Sequence, residues 1–244
     1  MDESLYHQFY KVEQQHWWFV ARQDILLAFI KEIIKLPPEA FVLDVGCGTG
    51  AMLDALSQLY AAYGVDFSPI AVEYCRKRGL SNVFCGNLGD IPVNKKFDLL
   101  TFLDVIEHID DDLGILRQGW SLLKPEGSIL VTVPAYQWLW SKHDELNQHK
   151  RRYTMQKLVH LVEKAGYTVR HSTYFNTFLF PLAVLRRTWG TIADRWHDDL
   201  ALPSPLINNF FRGIFRAEKL LVQHMTLPFG VSILCHASKA RSRS

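Results

Sequence analysis

The run Val42-Leu43-Asp44-Val45-Gly46-Cys47-Gly48-Thr49-Gly50 restricts the fold more than any other stretch of this chain. Apolar Phe41 to Leu43 read as a short buried strand, and glycines at alternate positions then let the backbone approach a ligand closely. Met52, Leu53, Leu56 and Leu59 follow at helical spacing, so a helix begins just past the turn. Tyr63-Gly64-Val65-Asp66 reads as a second strand, ending in a carboxylate about twenty residues beyond the first glycine. A ribose-binding acid occupies that place in a nucleotide-binding β-α-β unit.

The spacing narrows the nucleotide. The glycines run Gly46-x-Gly48-x-Gly50, whereas a dinucleotide fingerprint separates its last two glycines by two residues. No Gly-Lys-Ser/Thr phosphate loop occurs anywhere in the chain. Asp44, at the strand end, would repel a pyrophosphate but would hold an ammonium. S-adenosylmethionine carries an ammonium and no phosphate, so this turn favours it over NAD.

Further strands are expected at Val83 to Cys85, Phe97 to Leu103, Ser128 to Val133, Tyr167 to Tyr174 and Val231 to Ala237. Helices are expected at Ala71 to Arg78, Leu113 to Leu123 and Leu158 to Ala165, the last capped by Gly166. Residues 4–35 read as two helices, stopped by Pro37-Pro38. Strands alternating with helices predict an α/β, doubly wound parallel sheet with helices on both faces.

The order of local motifs carries a resemblance. Val42 to Gly50, Gly64 to Ser68, Gly86-Asn87-Leu88 with Ile91-Pro92, Phe97-Asp98 to His108, and Leu123 to Pro134 are similar to the successive motifs of class I S-adenosylmethionine-dependent methyltransferases. The resemblance implies a Rossmann-like sheet of seven strands whose last strand is antiparallel. It also implies S-adenosylmethionine as cofactor, bound by Asp44, Gly46, Gly48, Gly50, Asp66, Phe67, Asn87, Leu88 and Leu103. In that assignment Asp66 accepts both ribose hydroxyls, Phe67 faces the adenine and the Gly46 carbonyl meets the ammonium. Asn87 stands where the family usually has an adenine-binding Asp, a mild change because an amide oxygen still accepts. Leu103 ends the fourth strand under the reactive sulfur.

Three further segments bear on the acceptor. His16-Trp17-Trp18-Phe19-x-x-Arg22 resembles the entry helix of methyltransferases of lipid-linked or isoprenoid small molecules. Arg22 matches an arginine that holds the donor's carboxylate in ubiquinone-pathway O-methyltransferases, and a carboxylate in a closed pocket suits a bidentate guanidinium. Asp104-x-x-Glu107-His108 is similar to a Glu-x-x-Glu-His stretch that binds a divalent cation in those enzymes. The first position is one methylene shorter here, so no residue is assigned as a metal ligand and a cation remains an alternative. His108 is instead a candidate general base. His149 is the second catalytic candidate. It lies in the polar run His143 to Thr154, which is expected to line a cleft behind Tyr136, Trp138 and Trp140.

Residues 175–230 separate the last two expected strands, where the family often has only a short hairpin. The segment interleaves Phe178, Phe180, Trp189, Phe210, Phe211 and Phe215 with Arg186, Arg187, Arg195, Arg212, Arg216 and Lys219. Two helices are expected there. They either pack on the core or touch a membrane or lipid-like acceptor, because basic and aromatic residues together suit an anionic bilayer surface.

Composition excludes other classes. A net charge of +2 over 244 residues gives no broad electrostatic case for nucleic acid. Four cysteines at irregular spacing predict reduced thiols. The acidic N-terminus has no apolar core of a signal peptide, and Phe178 to Leu185 is too short to span a bilayer.

The expectation is therefore one domain over residues 1–244: a helical cap at 1–38, a Rossmann-like core at 39–174 and 231–238, and a helical insert at 175–230. A short disordered tail is expected from about Ser238. The expected activity is methyl transfer to a small or lipid-like acceptor, at oxygen, with carbon or nitrogen as alternatives. A non-catalytic binding protein and a dinucleotide oxidoreductase are the rival classes. The expected place is cytoplasmic, with peripheral membrane contact.

Overall fold

β1 (Phe41–Val45) sits at the centre of the sheet, paired in parallel with β2 (Ala61–Asp66) on one side and β4 (Phe97–Leu103) on the other. β3 (Val83–Cys85) extends the β2 side, and β5 (Leu123–Pro134) extends the β4 side in parallel. The order is β3-β2-β1-β4-β5-β7-β6, with helices on both faces. β7 (Ser232–Lys239) inserts antiparallel between β5 and β6 (Tyr167–Phe175). Strand order reverses beside β1, which opens a crevice at the carboxyl ends of β1 and β4, the place where open α/β sheets bind ligands. The computed structural model describes residues 3–92, 95–193 and 201–240, with side chains for all of these except 188–193.

Burial explains the sheet. Val42, Leu43, Leu99, Leu100, Phe102, Ile129, Leu130 and Val131 are all buried, as central strands covered on both faces require. α3 (Ala51–Ser57) leaves the glycine turn, and α4 (Pro69–Lys77) starts at Ser68, whose hydroxyl accepts from the Ala71 N–H. α5 (Asp112–Leu122) is capped by Asp111 and α7 (Met155–Lys164) by Thr154.

Residues before β1 form α1 (Glu3–Val12) and α2 (Trp17–Phe29), which ends in a π-helical turn, Ile30–Ile34. Ile25, Leu26, Phe29 and Ile30 of this segment are fully buried.

Several boundaries differ from the sequence reading. β5 begins at Leu123 rather than Ser128, through pairing of Leu123 with Phe97. The polar run after β5 contains a short helix, α6 (Lys142–Leu146), because Ser141 and Asp144 form a reciprocal capping box. Ser238 and Lys239 belong to β7, paired with Thr168 and Tyr167, so the chain is ordered past the expected start of the tail. Residues 241–244 lie outside the described residues.

The insert holds three helices among the described residues, not two: α8 (Phe180–Ala193), α9 (Pro205–Ala217) and α10 (Lys219–His224). α9 turns Phe215 into the core and sets Phe211 5.5 Å from the Trp17 ring. Buried Glu218, at the α9–α10 junction, accepts from the Phe178 N–H at 2.6 Å and fastens the insert to the end of β6. Trp17 is thus a packing residue between α2 and α9. Arg195 and the Trp189 side chain lie outside the described residues. No helix among the described residues is long and apolar enough to cross a membrane.

Candidate functional site

The turn after β1 takes a shape that only glycine tolerates well. Gly46, Gly48 and Gly50 have φ of +68°, +53° and +90°. A Cβ on Gly46 would lie 2.6 Å from Val105 Cγ2, and one on Gly50 would lie 2.8 Å from Cys75 Sγ. Bent in this way, the turn aims the Gly48 N–H at Asp66 Oδ2, 2.9 Å away, while Ser68 N–H donates to Oδ1 at 2.9 Å. These bonds fix the Asp66 carboxylate at the end of β2 and leave its remaining lone pairs for hydroxyl donors. Burial pushes its carboxyl above the ordinary value, and the two N–H bonds oppose that rise.

Asp44 is 3% exposed and accepts from Thr101 Oγ1 of β4 at 2.6 Å. Burial pushes its carboxyl up to about 6, against the pull of Thr101 and Arg22. Arg22 reaches the same crevice from α2. Its Nη2 donates to Thr132 Oγ1 and pairs with Asp104 Oδ2, both at 2.8 Å, and its guanidinium lies over the Trp18 ring. Its Nε is buried without a partner, a donor still available to a ligand carboxylate.

At the other end of the crevice Phe67 carries a ring that is 68% exposed. Exposed Asn87 donates from Nδ2 to Asp90 Oδ2 at 3.2 Å, which leaves its amide oxygen to accept. Leu88 is buried beneath it and Leu103 is half-buried at the end of β4. A cavity of about 350 Å³ opens here, lined in part by Val65, Cys85, Gly86 and Asn87. All the residues expected to hold the donor therefore lie at the carboxyl ends of β1 to β4 or, for Arg22, on the helix facing them.

The catalytic candidates meet, although forty-one positions separate them in the sequence. The His108 and His149 rings pack edge to face with centroids 4.7 Å apart. Lys150 N–H donates to the Glu107 carbonyl at 2.9 Å and holds the two loops together. Burial, reinforced by His149, pushes the His108 imidazole down to about 4, so it is neutral at neutral pH. His149 Nδ1 bonds Asp144 Oδ1 at 2.8 Å. Asp144 is fully buried and also takes a bidentate pair from Arg152, at 2.7 and 2.9 Å. Against the burial that would raise it, the bonds from His149 and Arg152 hold the Asp144 carboxyl well below the usual range.

Among the described residues Asp104 does not join Glu107 and His108 in a set that could share one cation. Asp104 adopts φ +58°, which turns its carboxylate to Arg22 and Thr132. Glu107, His108 and His149 converge instead, with one ligand atom from each within 4.8 Å of the others.

Two contributors escaped the sequence reading. Tyr6 of α1 is buried, with its hydroxyl near the Asp66 charge. Glu13 pairs with Arg78 and accepts from Thr49 Oγ1, tying the segment after α1 to the glycine turn. Neither stands in a motif, and long-range pairs of this kind leave no local periodicity.

The profile of a methyltransferase-domain family matches residues 16–172. The chain belongs to the class I S-adenosylmethionine-dependent methyltransferases. The mitochondrial ubiquinone biosynthesis O-methyltransferase of Saccharomyces cerevisiae is 38% identical over 104 residues, covering 38% of this chain and 33% of that protein. Its namesake in Xanthomonas campestris pv. campestris is 33% identical over 120 residues, covering 46% of this chain and 50% of that protein. The chain spans half or less of the length of these curated relatives. The fold alone is similar to a chain from the complex of the Haloferax volcanii Trm112 methyltransferase activator with a methyltransferase. That match has a TM-score of 0.64 and 17% identity, over 99% of this chain and 96% of that one.

Proposed function

We propose that this methyltransferase transfers the methyl group of S-adenosylmethionine to an oxygen of a small or lipid-like acceptor. The observation that carries the donor half is the convergence of Asp44, Asp66 and the partly unpaired Arg22 on one crevice. Asp66 suits the ribose hydroxyls, Asp44 the ammonium, Arg22 the carboxylate, and Phe67 with Asn87 the adenine. Bound there, S-adenosylmethionine supplies a methyl group activated by the sulfonium charge.

Transfer is an in-line displacement, so the protein acts chiefly by holding acceptor and donor in line and keeping water out. The bond from carbon to sulfur breaks as the bond from carbon to oxygen forms, and S-adenosylhomocysteine leaves. The acceptor hydroxyl also loses its proton, and Glu107, His108 and His149 are the polar group beside the crevice suited to promote that loss. Oxygen as the target is supported by the names of the two ubiquinone biosynthesis O-methyltransferases that the chain resembles.

A lipid-like acceptor is supported by the insert. Leu206, Ile207 and Phe210 on α9, and Leu182 and Leu185 on α8, are exposed, and Arg212 and Lys219 stand in the same segment of the chain. Calorimetry with S-adenosylhomocysteine and NAD tests the donor half, and tighter binding of NAD would overturn it. Mass spectrometry of extracts from a deletion strain tests the acceptor, through accumulation of an intermediate lacking one CH₂.

A further inference from the structure

We infer that a cavity between α5 and α7, outside the donor crevice, binds an organic phosphate, with Lys157, His160 and Lys164 meeting the phosphate and Leu113 and Leu161 its apolar part. The inference goes beyond the proposed function and does not depend on it.

The cavity has a volume of about 500 Å³, within the range of about 300–1,000 Å³ usual for small-molecule sites. It opens where the start of α5 meets α7 and the loop just before α7. Arg151, Arg152, Lys157 and Lys164 stand in its lining against a single acid, Asp112.

The acid and both arginines are already committed. Arg151 Nη1 pairs with Asp112 Oδ2 at 2.9 Å, and the Tyr153 hydroxyl donates to the same oxygen at 2.7 Å. Arg152 is held by buried Asp144. Lys157 and Lys164 differ. Both are exposed, and neither ammonium has an ion pair or hydrogen bond among the described residues. Glu163, the nearest acid along α7, does not line the cavity. Two positive charges are therefore left without a counter-charge at this one opening.

Lys157, His160 and Lys164 recur at i, i+3 and i+7, so they share one face of α7 over about 10 Å. Lysine binds phosphate as a point charge on a flexible stem, which lets two ammonium groups converge on one anion. The backbone at the start of α7 is already satisfied: Lys157 N–H bonds Thr154 Oγ1 and Met155 N–H bonds the Tyr174 hydroxyl. Side chains, not the helix end, meet the anion.

The apolar wall selects an organic phosphate over the free ion. Leu161 lies on the same face of α7, and Leu113 of α5 adds to it. An inorganic ion would leave these side chains wet, whereas the substituent of a phosphate ester covers them. The cavity also stands one ion pair from the catalytic candidates, since Arg152 lines it and Asp144 joins Arg152 to His149.

Calorimetry at low salt with phenyl phosphate and inorganic phosphate as probes tests the site. One phenyl phosphate per chain is expected, bound more tightly than inorganic phosphate and not displaced by S-adenosylhomocysteine. Lys157→Gln with Lys164→Gln should weaken it about 10-fold or more. Both lysines are exposed, so the melting temperature of this double variant should match the wild type. Lys219→Gln, on α10, should leave binding unchanged. Absence of phenyl phosphate binding, full binding by the double variant, or equal loss in Lys219→Gln overturns the site. Displacement by S-adenosylhomocysteine overturns its separation from the donor crevice, and equal affinity for inorganic phosphate overturns the assignment to an organic phosphate.

Discussion

Arg22 of α2 and Asp104, at the end of β4, form an ion pair at 2.8 Å across the mouth of the donor crevice. The pair couples the N-terminal helix to the strand that carries the catalytic loop. It also holds a guanidinium beside Asp44 with Nε still unpartnered. On the proposed donor assignment, binding adds a carboxylate to an arginine that is already positioned, which lowers the ordering cost of binding.

Arg22→Ala should weaken S-adenosylhomocysteine binding by about 1.5–3 kcal/mol, the range for hydrogen bonds to charged groups. Arg22→Lys should recover only part, because a lysine cannot keep Thr132 and Asp104 and also meet a carboxylate in a fork. Calorimetry decides, and unchanged affinity in Arg22→Ala removes the arginine from the donor site.

Asp66→Ala should cost about 1–3 kcal/mol of donor affinity through the lost ribose bonds. It should also lower the melting temperature, since the Gly48 and Ser68 N–H groups lose their acceptor.

Asp44 predicts a pH dependence of donor binding. Its folded value of about 6 lies above the ordinary 3.8, so the protonated form is the one favoured by folding. The stability it contributes is therefore full below about 4 and is lost as pH rises to about 6. The donor ammonium favours the ionised form, so affinity should rise between about pH 5 and 7 with release of a proton on binding. Calorimetry in buffers of different ionisation enthalpy measures that proton, and Asp44→Asn should abolish its release.

His108→Ala should lower the methyl-transfer rate by roughly 10²–10⁴-fold with donor affinity nearly unchanged. A fully active His108→Ala enzyme would take His108 out of the chemistry and leave His149 or an already ionised acceptor.

Anionic vesicles should retain the protein at low salt and release it as salt rises, through the outward face of α8 and α9. Leu206 and Phe210 are 85% and 64% exposed, so their replacement by serine should reduce retention without loss of stability. Equal sedimentation of wild type and the double variant would return this face to an ordinary surface.

The residues proposed for the donor side at β1 and β2 were legible one by one because each sits in a short local signal. Alternating glycines force a turn, and a strand-end acid follows a strand; both depend on neighbours within a few positions, so β1, the turn and Asp66 were plain in the sequence. The apolar runs of β1, β2 and β4 are ones that only a sheet covered on both faces can bury, while their register is a finding of the structure.

The acceptor side depended on distant residues. Glu107 and His108 share a motif, but His149 belongs to a loop whose place is set by the Asp144–Arg152 pair and by Lys150 N–H on the Glu107 carbonyl. Asp104 kept its motif position and lost the expected partner, because its left-handed backbone turns the carboxylate to an arginine eighty-two residues earlier in the chain. The insert divided in the same way. Its composition marked it as aromatic and basic, while packing on Trp17 and Phe175 decided that Phe211 and Phe215 turn inward and Phe210 faces out. Sequence alone determined the order of the core strands and the donor turn, since these obey local backbone and burial rules. Only the tertiary structure decided which titratable groups meet, since pairing across the fold leaves no period in the chain.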